Sequence, residues 1–172
     1  MDEKEIIRRC QENDLSAYKM IYDRYEQPLL HTALRILGQQ QDAEDAVQTT
    51  FLKLYRGIHN YRLDSQFSTY LFRIIINHCY DVLRKKRRAR IQTLEDAHLG
   101  QDSKDDVRLY LQKAISTLPE KMKTSFVLFA VEGFKIKEIA QIMEVSLGTV
   151  KTNIFQAKMR LRSELSEHQI KE

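Results

Sequence analysis

Two groups of residues carry the chemistry of this sequence, and neither is built to make or break a bond. The first ends a long apolar-periodic stretch, where Arg84 to Arg90 places six cations in seven residues. Ahead of it stand Tyr61, Phe67, Tyr70 and Phe72. A cationic track holds a phosphate backbone, and aromatic faces beside it stack unpaired bases at roughly 1–3 kcal/mol each. Phe67 and Phe72 fit a core pattern, whereas Tyr61 and Tyr70 are open to either use. The second group follows Ser146: Thr149, Lys151, Thr152, Asn153, Gln156, Lys158 and Arg160, hydrogen-bonding side chains first and cations further on. Such a face suits base edges and phosphates in a major groove. The same residues also describe an ordinary corner between helices with a solvated basic face.

Enzymatic chemistry finds little support. His31, His59, His78, His98 and His168 are scattered, without metal-ligand spacing, a nucleophile–base pair or a phosphate-binding glycine loop. No cofactor or metal is expected. Cys10 and Cys79 are the only cysteines, too few for a disulfide framework, and a reducing cytoplasm is the simplest setting. The N-terminus, MDEKEIIRRC, carries acids where a secretion signal needs cations, and no segment has the apolar length to span a bilayer. The net charge is only +4, so its distribution matters more than its total.

These groups must be positioned by helices. Two prolines and five glycines in 172 residues leave few turns, and the apolar periodicity is helical throughout. The expected fold is all-α: two small helical domains joined by a flexible linker. The linker is the acidic stretch 91–106, which holds five acids against Lys104; it separates residues 1–90 from residues 107–172.

In the first part, a short helix over 2–10 precedes a longer one starting at Asn13 or Asp14 and closing at Gly38. Pro28 inside it predicts a kink or break. Leu15, Tyr18, Tyr22 and Tyr25 are placed on its apolar face. Asp42 is the expected N-cap of the next helix, with Tyr55 in its buried stripe and Glu44, Asp45, Gln48, Thr49 and Lys53 outside. That acidic and polar face is either solvated or a docking surface. After the loop 57–66, a helix from Phe67 is expected to bury Phe67, Leu71, Ile74, Ile75, His78 and Val82. In the second part, Pro119 is placed in the first turn of the segment ending at Gly133. Ile136, Ile139, Ala140 and Met143 then give a short stripe. Ser146 caps a final helix with Leu147, Val150, Ile154, Ala157, Leu161 and Leu165 inward. This is the layout of a helix-turn-helix.

The combination of AEDAVQ-T-FL, an F-S-T-Y-L…I-N…D…R-K-K-R-R helix, LPEKMKTSFVL and EIAQIMEVSLGTVK resembles the bacterial extracytoplasmic-function (ECF) sigma factors of the sigma-70 family. The resemblance covers residues 15–88 and 107–165. It implies a transcription initiation factor, not an enzyme, in which Glu44, Asp45, Gln48 and Thr49 lie on the segment that docks on the clamp helices of core RNA polymerase. Region 4 would meet the flap region. The loop around Asn60, Tyr61 and Arg62, with Tyr70, Arg73, Asn77, Asp81, Arg84 and Arg87 on the following helix, matches the part that opens the −10 promoter element and holds it single-stranded.

Ser146, Thr149, Lys151, Thr152, Asn153, Gln156 and Lys158 match the reader of duplex −35 DNA, so Asn153→Ala is expected to alter −35 preference. Thr49 stands where many relatives carry Glu, and Tyr70 replaces a frequent Trp while keeping an aromatic face. Glu144 occupies a corner where Gly or Asn is common, which predicts a turn that spares it a left-handed backbone. The resemblance also implies an anti-sigma factor, commonly membrane-tied, that masks both domains of an otherwise cytoplasmic protein.

Overall fold

The computed structural model describes residues 2–62, 65–93 and 107–170. All regular structure among them is helical: α1 (Glu3–Gln11), α2 (Leu15–Leu37), α3 (Gln40–Gly57), α4 (Phe67–Thr93), α5 (Val107–Thr117), α6 (Glu120–Ala130), α7 (Ile136–Met143) and α8 (Leu147–Ile170), with a 3₁₀ turn at Ile58–Asn60. The acidic stretch expected to be flexible lies outside the described residues from 94 to 106. Residues 91–93 continue α4.

Asp14 sets the start of α2. Its carboxylate accepts from the Ser16 amide at 2.8 Å, satisfying an orphan donor of the first turn, and from Arg9 Nε at 2.8 Å. These bonds, with the Ser16 hydroxyl contributing most, hold its carboxyl down at about 2. α2 runs unbroken through Pro28, whose missing N–H removes one rung of the ladder without ending the helix. Gly38 closes it at φ 77°.

α3 starts two residues before the expected cap. Gln39 is extended and its carbonyl accepts from Ala43, so Asp42 sits inside the first turn and pairs instead with Lys86 of α4. Ala43, Ala46, Val47, Thr50 and Leu54 are buried, and the Thr50 hydroxyl donates to the Ala46 carbonyl at 2.7 Å.

α4 is buried more widely than one stripe allows. Phe67, Leu71, Phe72 and Ile75 are buried as expected, but so are Ile76 and Cys79, while Ile74, His78 and Val82 are half-buried. The cause is that α4 is covered from two sides: α2 and α3 pack on one, α7 on another. Leu128, Ile139, Ile142, Val150 and Ile154 from the last helices thus join the core that holds Leu29, Phe67 and Ile75. A smaller cluster, Ala114, Leu118, Met122, Ala157 and Leu161, fixes α5 and α6 to α8. Each fully buried Leu or Ile contributes about 1.5–3 kcal/mol.

Pro119 caps α6 from outside its first turn, with φ −52° and ψ 142°. The α7–α8 corner departs from expectation. Glu144 does adopt the left-handed backbone, at φ 54° and ψ 46°, which lets the Val145 amide reach the Ala140 carbonyl at 3.1 Å. A side chain with a Cβ there costs about 1–2 kcal/mol relative to an unstrained residue. The corner's tightness outweighs that cost.

Candidate nucleic-acid and polymerase interfaces

α8 presents one face outward because Val150, Ile154, Ala157 and Leu161 occupy the other. The Ser146 hydroxyl caps this helix as expected, accepting from the Thr149 amide at 3.0 Å, and it also meets the Thr149 hydroxyl at 2.8 Å. Lys151, Thr152 and Gln156 are exposed beyond that cap. Asn153 is different: half-buried, it donates from Nδ2 to the Ser125 hydroxyl of α6 at 3.2 Å. Its amide is therefore engaged inside the protein. The Lys158 ammonium lies 4.9 Å from the centre of the Phe129 ring. Leu147, expected inward, is 49% exposed because it opens the helix at the corner.

Sequence reading missed Phe155 and Met159, exposed at 65% and 52% and one turn apart on this same face. The signal was present: both fall off the Val150–Ile154–Ala157–Leu161 stripe. An apolar ring between Thr152 and Gln156 suits a thymine methyl group.

The other nucleic-acid candidate starts at the loop before α4. Gln11 of α1 donates to the carbonyls of Ile58 and Tyr61, both at 3.0 Å, and so fastens this loop to the bundle. Asn60 and Arg62 are exposed. Tyr61 is buried; its hydroxyl donates to the Ser65 carbonyl at 2.5 Å, and its ring lies 5.6 Å from Phe67 and 4.8 Å from Tyr70. The question left open by the sequence thus resolves toward packing for Tyr61, with half-buried Tyr70 at the edge of the aromatic cluster. Asn77 is exposed. Arg73 Nε donates to the Gln141 carbonyl of α7 at 3.0 Å, Arg84 pairs with Asp81, and Arg87 reaches Glu120 of α6 at 2.5 Å.

On α3, Glu44, Asp45 and Gln48 are exposed and Thr49 is half-buried; Gln40 donates to Glu44 at 2.6 Å. The same helix exposes Leu52 at 59% and Tyr55 at 47%, correcting the placement of Tyr55 in the core. Across from them on α2 lie Leu15 and Tyr22, also exposed, with Tyr18 4.9 Å from Tyr55 and Tyr22 4.7 Å from Phe51. An apolar and aromatic patch therefore adjoins the acidic face. The His78 imidazole is held less basic by burial and by Lys53. Among the described residues no group of three His, Cys, Asp or Glu could hold a metal, and no helix is long and apolar enough to cross a membrane.

The sequence matches the family models for Sigma-70 region 2 over residues 21–89 and Sigma-70, region 4 over residues 108–161. The RNA polymerase sigma-H factor of Pseudomonas aeruginosa is 29% identical, over 91% of this chain and 90% of its own length. The ECF RNA polymerase sigma factor SigW of Bacillus subtilis is 30% identical, over 95% of this chain and 97% of its own. Among solved structures, the sigma factor RpoE in complex with the anti-sigma factor NepR from Bartonella quintana shares the fold at a TM-score of 0.73, with 24% identity over 87% of this chain and 96% of that one. CnrH in complex with the cytosolic domain of CnrY gives 0.75 at 22% identity, over 96% of this chain and 97% of that one. With both sigma regions in order and a relative matched over nearly its full length, the chain belongs to the ECF sigma factors of the sigma-70 family.

Proposed function

We propose that this sigma factor directs promoter-specific initiation through three surfaces: one on α3, one on α4 with the loop before it, and one on α8. Glu44, Asp45, Gln48 and Thr49 of α3 dock on the clamp helices of core RNA polymerase, and the adjoining Leu52 and Tyr55 supply apolar anchors at their rim. Asn60, Tyr61, Arg62, Tyr70, Arg73, Asn77, Arg84 and Arg87 form the −10 surface. Within it, Tyr61 props the aromatic cluster, Tyr70 offers a ring edge, and the arginines neutralise phosphates of the separated strand. Ser146 and Thr149 fix the start of α8, Lys151 and Lys158 position it on phosphates, and Thr152, Phe155 and Gln156 read base edges at −35. Asn153 sets the depth of α8 against α6 and does not read bases.

The work is differential binding. Unstacking a base costs a few kcal/mol, and captured strand plus neutralised phosphates offset it. No cofactor takes part. The protein acts in the cytoplasm with core polymerase as its partner and promoter DNA as duplex at −35 and single strand at −10. The solved RpoE structure was captured with the anti-sigma factor NepR, and the CnrH structure with the cytosolic domain of CnrY, which supports a protein partner of the anti-sigma kind here.

The observation that carries this reading is the exposed α8 face, with the cationic and aromatic α4 segment in the same chain. Run-off transcription with purified core polymerase on a pool of promoter fragments tests it. New start sites that need the protein are expected. Tight duplex binding without polymerase and no new transcripts would instead indicate a free-standing regulator.

A further inference from the structure

The loop from α3 to α4 presents Asn60 and Arg62 to solvent, yet its main chain is held at several points. Ile58 is fully buried, and the Tyr61 amide closes the 3₁₀ turn on the Ile58 carbonyl at 3.0 Å. Gly57, where the turn begins, lies so close to Tyr70 that a Cβ there would sit 3.3 Å from its hydroxyl oxygen. The remaining hold comes from α1. The Gln11 side-chain amide directs both of its hydrogens into this turn, one to the Ile58 carbonyl and one to the Tyr61 carbonyl, each at 3.0 Å. These acceptors lie 47 and 50 residues further along the chain, so the loop's own sequence cannot supply the bonds.

Gln11 can do this because its own place is fixed. Ile6, Ile7 and Cys10 of α1 are buried, and the chain turns sharply just past Gln11. There Asn13 takes a left-handed backbone at φ 65°; its amide reaches the Cys10 carbonyl and the Asp14 amide reaches that of Arg9, both at 3.0 Å. At the other end of α1, Glu3 accepts from the Tyr25 hydroxyl at 2.7 Å, and the Tyr25 ring meets Phe67 edge-on at 5.8 Å. One end of α1 thus braces the aromatic cluster beside the proposed −10 surface, and the other end braces its loop. Gln11 is half-buried, and with both amide hydrogens on main-chain carbonyls it has no donor left for a nucleotide.

Resting on the initiation-factor reading above, we infer that Gln11 is a positioning residue for strand capture at −10. It pre-sets the 58–62 turn, so that the turn meets an unstacked base without first having to order itself. A loop that must order on binding loses affinity by the fraction of time it spends in the competent shape. Two hydrogen bonds to the main chain, each a modest net gain, together raise that fraction by roughly tenfold. α1 thereby takes part in promoter opening through a side chain that meets no DNA.

The test uses the full chain and two variants. Gln11→Met keeps the length of the side chain and loses both donors; Gln11→Glu keeps its shape and sets carboxylate oxygens against two carbonyls. In both, hydrogen exchange at the Tyr61 amide should speed up about tenfold, with the amides of α2 and α3 unchanged. With core polymerase bound, affinity for a single-stranded oligonucleotide spanning the −10 element of a promoter mapped by run-off should fall about tenfold. Affinity for core polymerase and for duplex −35 fragments should stay within about twofold. A loosened turn with unchanged affinity for the strand would overturn the inference, as would a strand defect with Tyr61 exchange unchanged. Equal losses in all three affinities would assign Gln11 to general stability and overturn it too. If the wild-type holoenzyme does not hold the −10 strand at all, the functional reading itself falls and this role with it, while the exchange rates still report whether Gln11 fastens the loop.

Discussion

α4 and α8 are the two helices that carry the cations of the proposed nucleic-acid surfaces, yet they stand in opposite situations. On α8, Lys151, Thr152, Phe155 and Gln156 face outward and are exposed. On α4, Arg73, Arg84, Lys86 and Arg87 are all engaged by oxygens of the chain, two of them from the other half. The difference teaches that charge on a helix does not by itself make a surface available. The proposed −35 face is exposed, whereas cations of the proposed −10 face are engaged by oxygens of the same chemistry as a phosphate.

The strongest way to break this comparison is to ask whether the halves unfold together. Ile139 of α7 is fully buried in the core shared with α4. Ile139→Ala should cost about 2–5 kcal/mol, read as a lower urea midpoint. A single transition is expected; two separate ones would mean that α4 and α7 are not energetically joined.

Smaller effects sharpen the picture of α8. Gln156→Ala should lose about 1–3 kcal/mol of discrimination at one −35 position, measured by competition among single-base variants of the element. Asn153→Ala, by contrast, should weaken all −35 sequences alike and lower stability by about 0.5–1.5 kcal/mol, the worth of its bond to Ser125. A changed sequence preference in Asn153→Ala would return that residue to base reading. Lys151→Ala should reduce the salt dependence of binding by roughly one unit of slope without altering preference.

Two corners allow a finer contrast, because each half makes a turn with a left-handed residue other than glycine: Asn13 at φ 65° and Glu144 at φ 54°. Asn adopts that backbone at lower cost than Glu. Glu144→Gly should therefore raise stability by about 1 kcal/mol in thermal melts, and Asn13→Gly should gain less.

The smallest effect is a pH dependence at the neighbouring Asp14. Its folded carboxyl titrates near 2, below the usual carboxylate value of 3.8. Its contribution is thus complete above about pH 4 and is lost as pH falls through 2. The stability gap between wild type and Asp14→Asn should be present at pH 7 and close toward pH 2; a gap independent of pH would assign the cap to geometry alone.

The sequence made the helices and their caps readable wherever a local signal governs them. Asp14, Gly38, Ser146 and the Val150–Ile154–Ala157–Leu161 stripe each act within one turn of chain, and each appears as expected. What it hid depends on distant partners. The double burial of α4 follows from α7 and the preceding Phe134 packing on it, and Asp42, inside a helix that already starts at Gln40, pairs with Lys86 instead of capping. The exposure of Leu15, Tyr22 and Tyr55 was masked because an apolar residue at helical spacing reads as core whether or not anything covers it. For the site, the types of residue on α8 were legible, but the turning of Asn153 toward Ser125 was not, since that depends on where α6 lies. Glu144 failed for a different reason: propensity argued against its backbone, and the closing of the α7–α8 corner won.

The two buried thiols carry a last consequence. Burial raises Cys10 to about 11 and Cys79 to about 12, so neither offers appreciable thiolate at neutral pH while its surroundings stay closed. Both sit in α1–α4, on α1 and α4, and the chain has no other cysteine. A thiol reagent thus reacts only through transient opening of those helices, at a rate that reports their local unfolding free energy. The unmodified protein keeps its own clock for one half and is silent about the other.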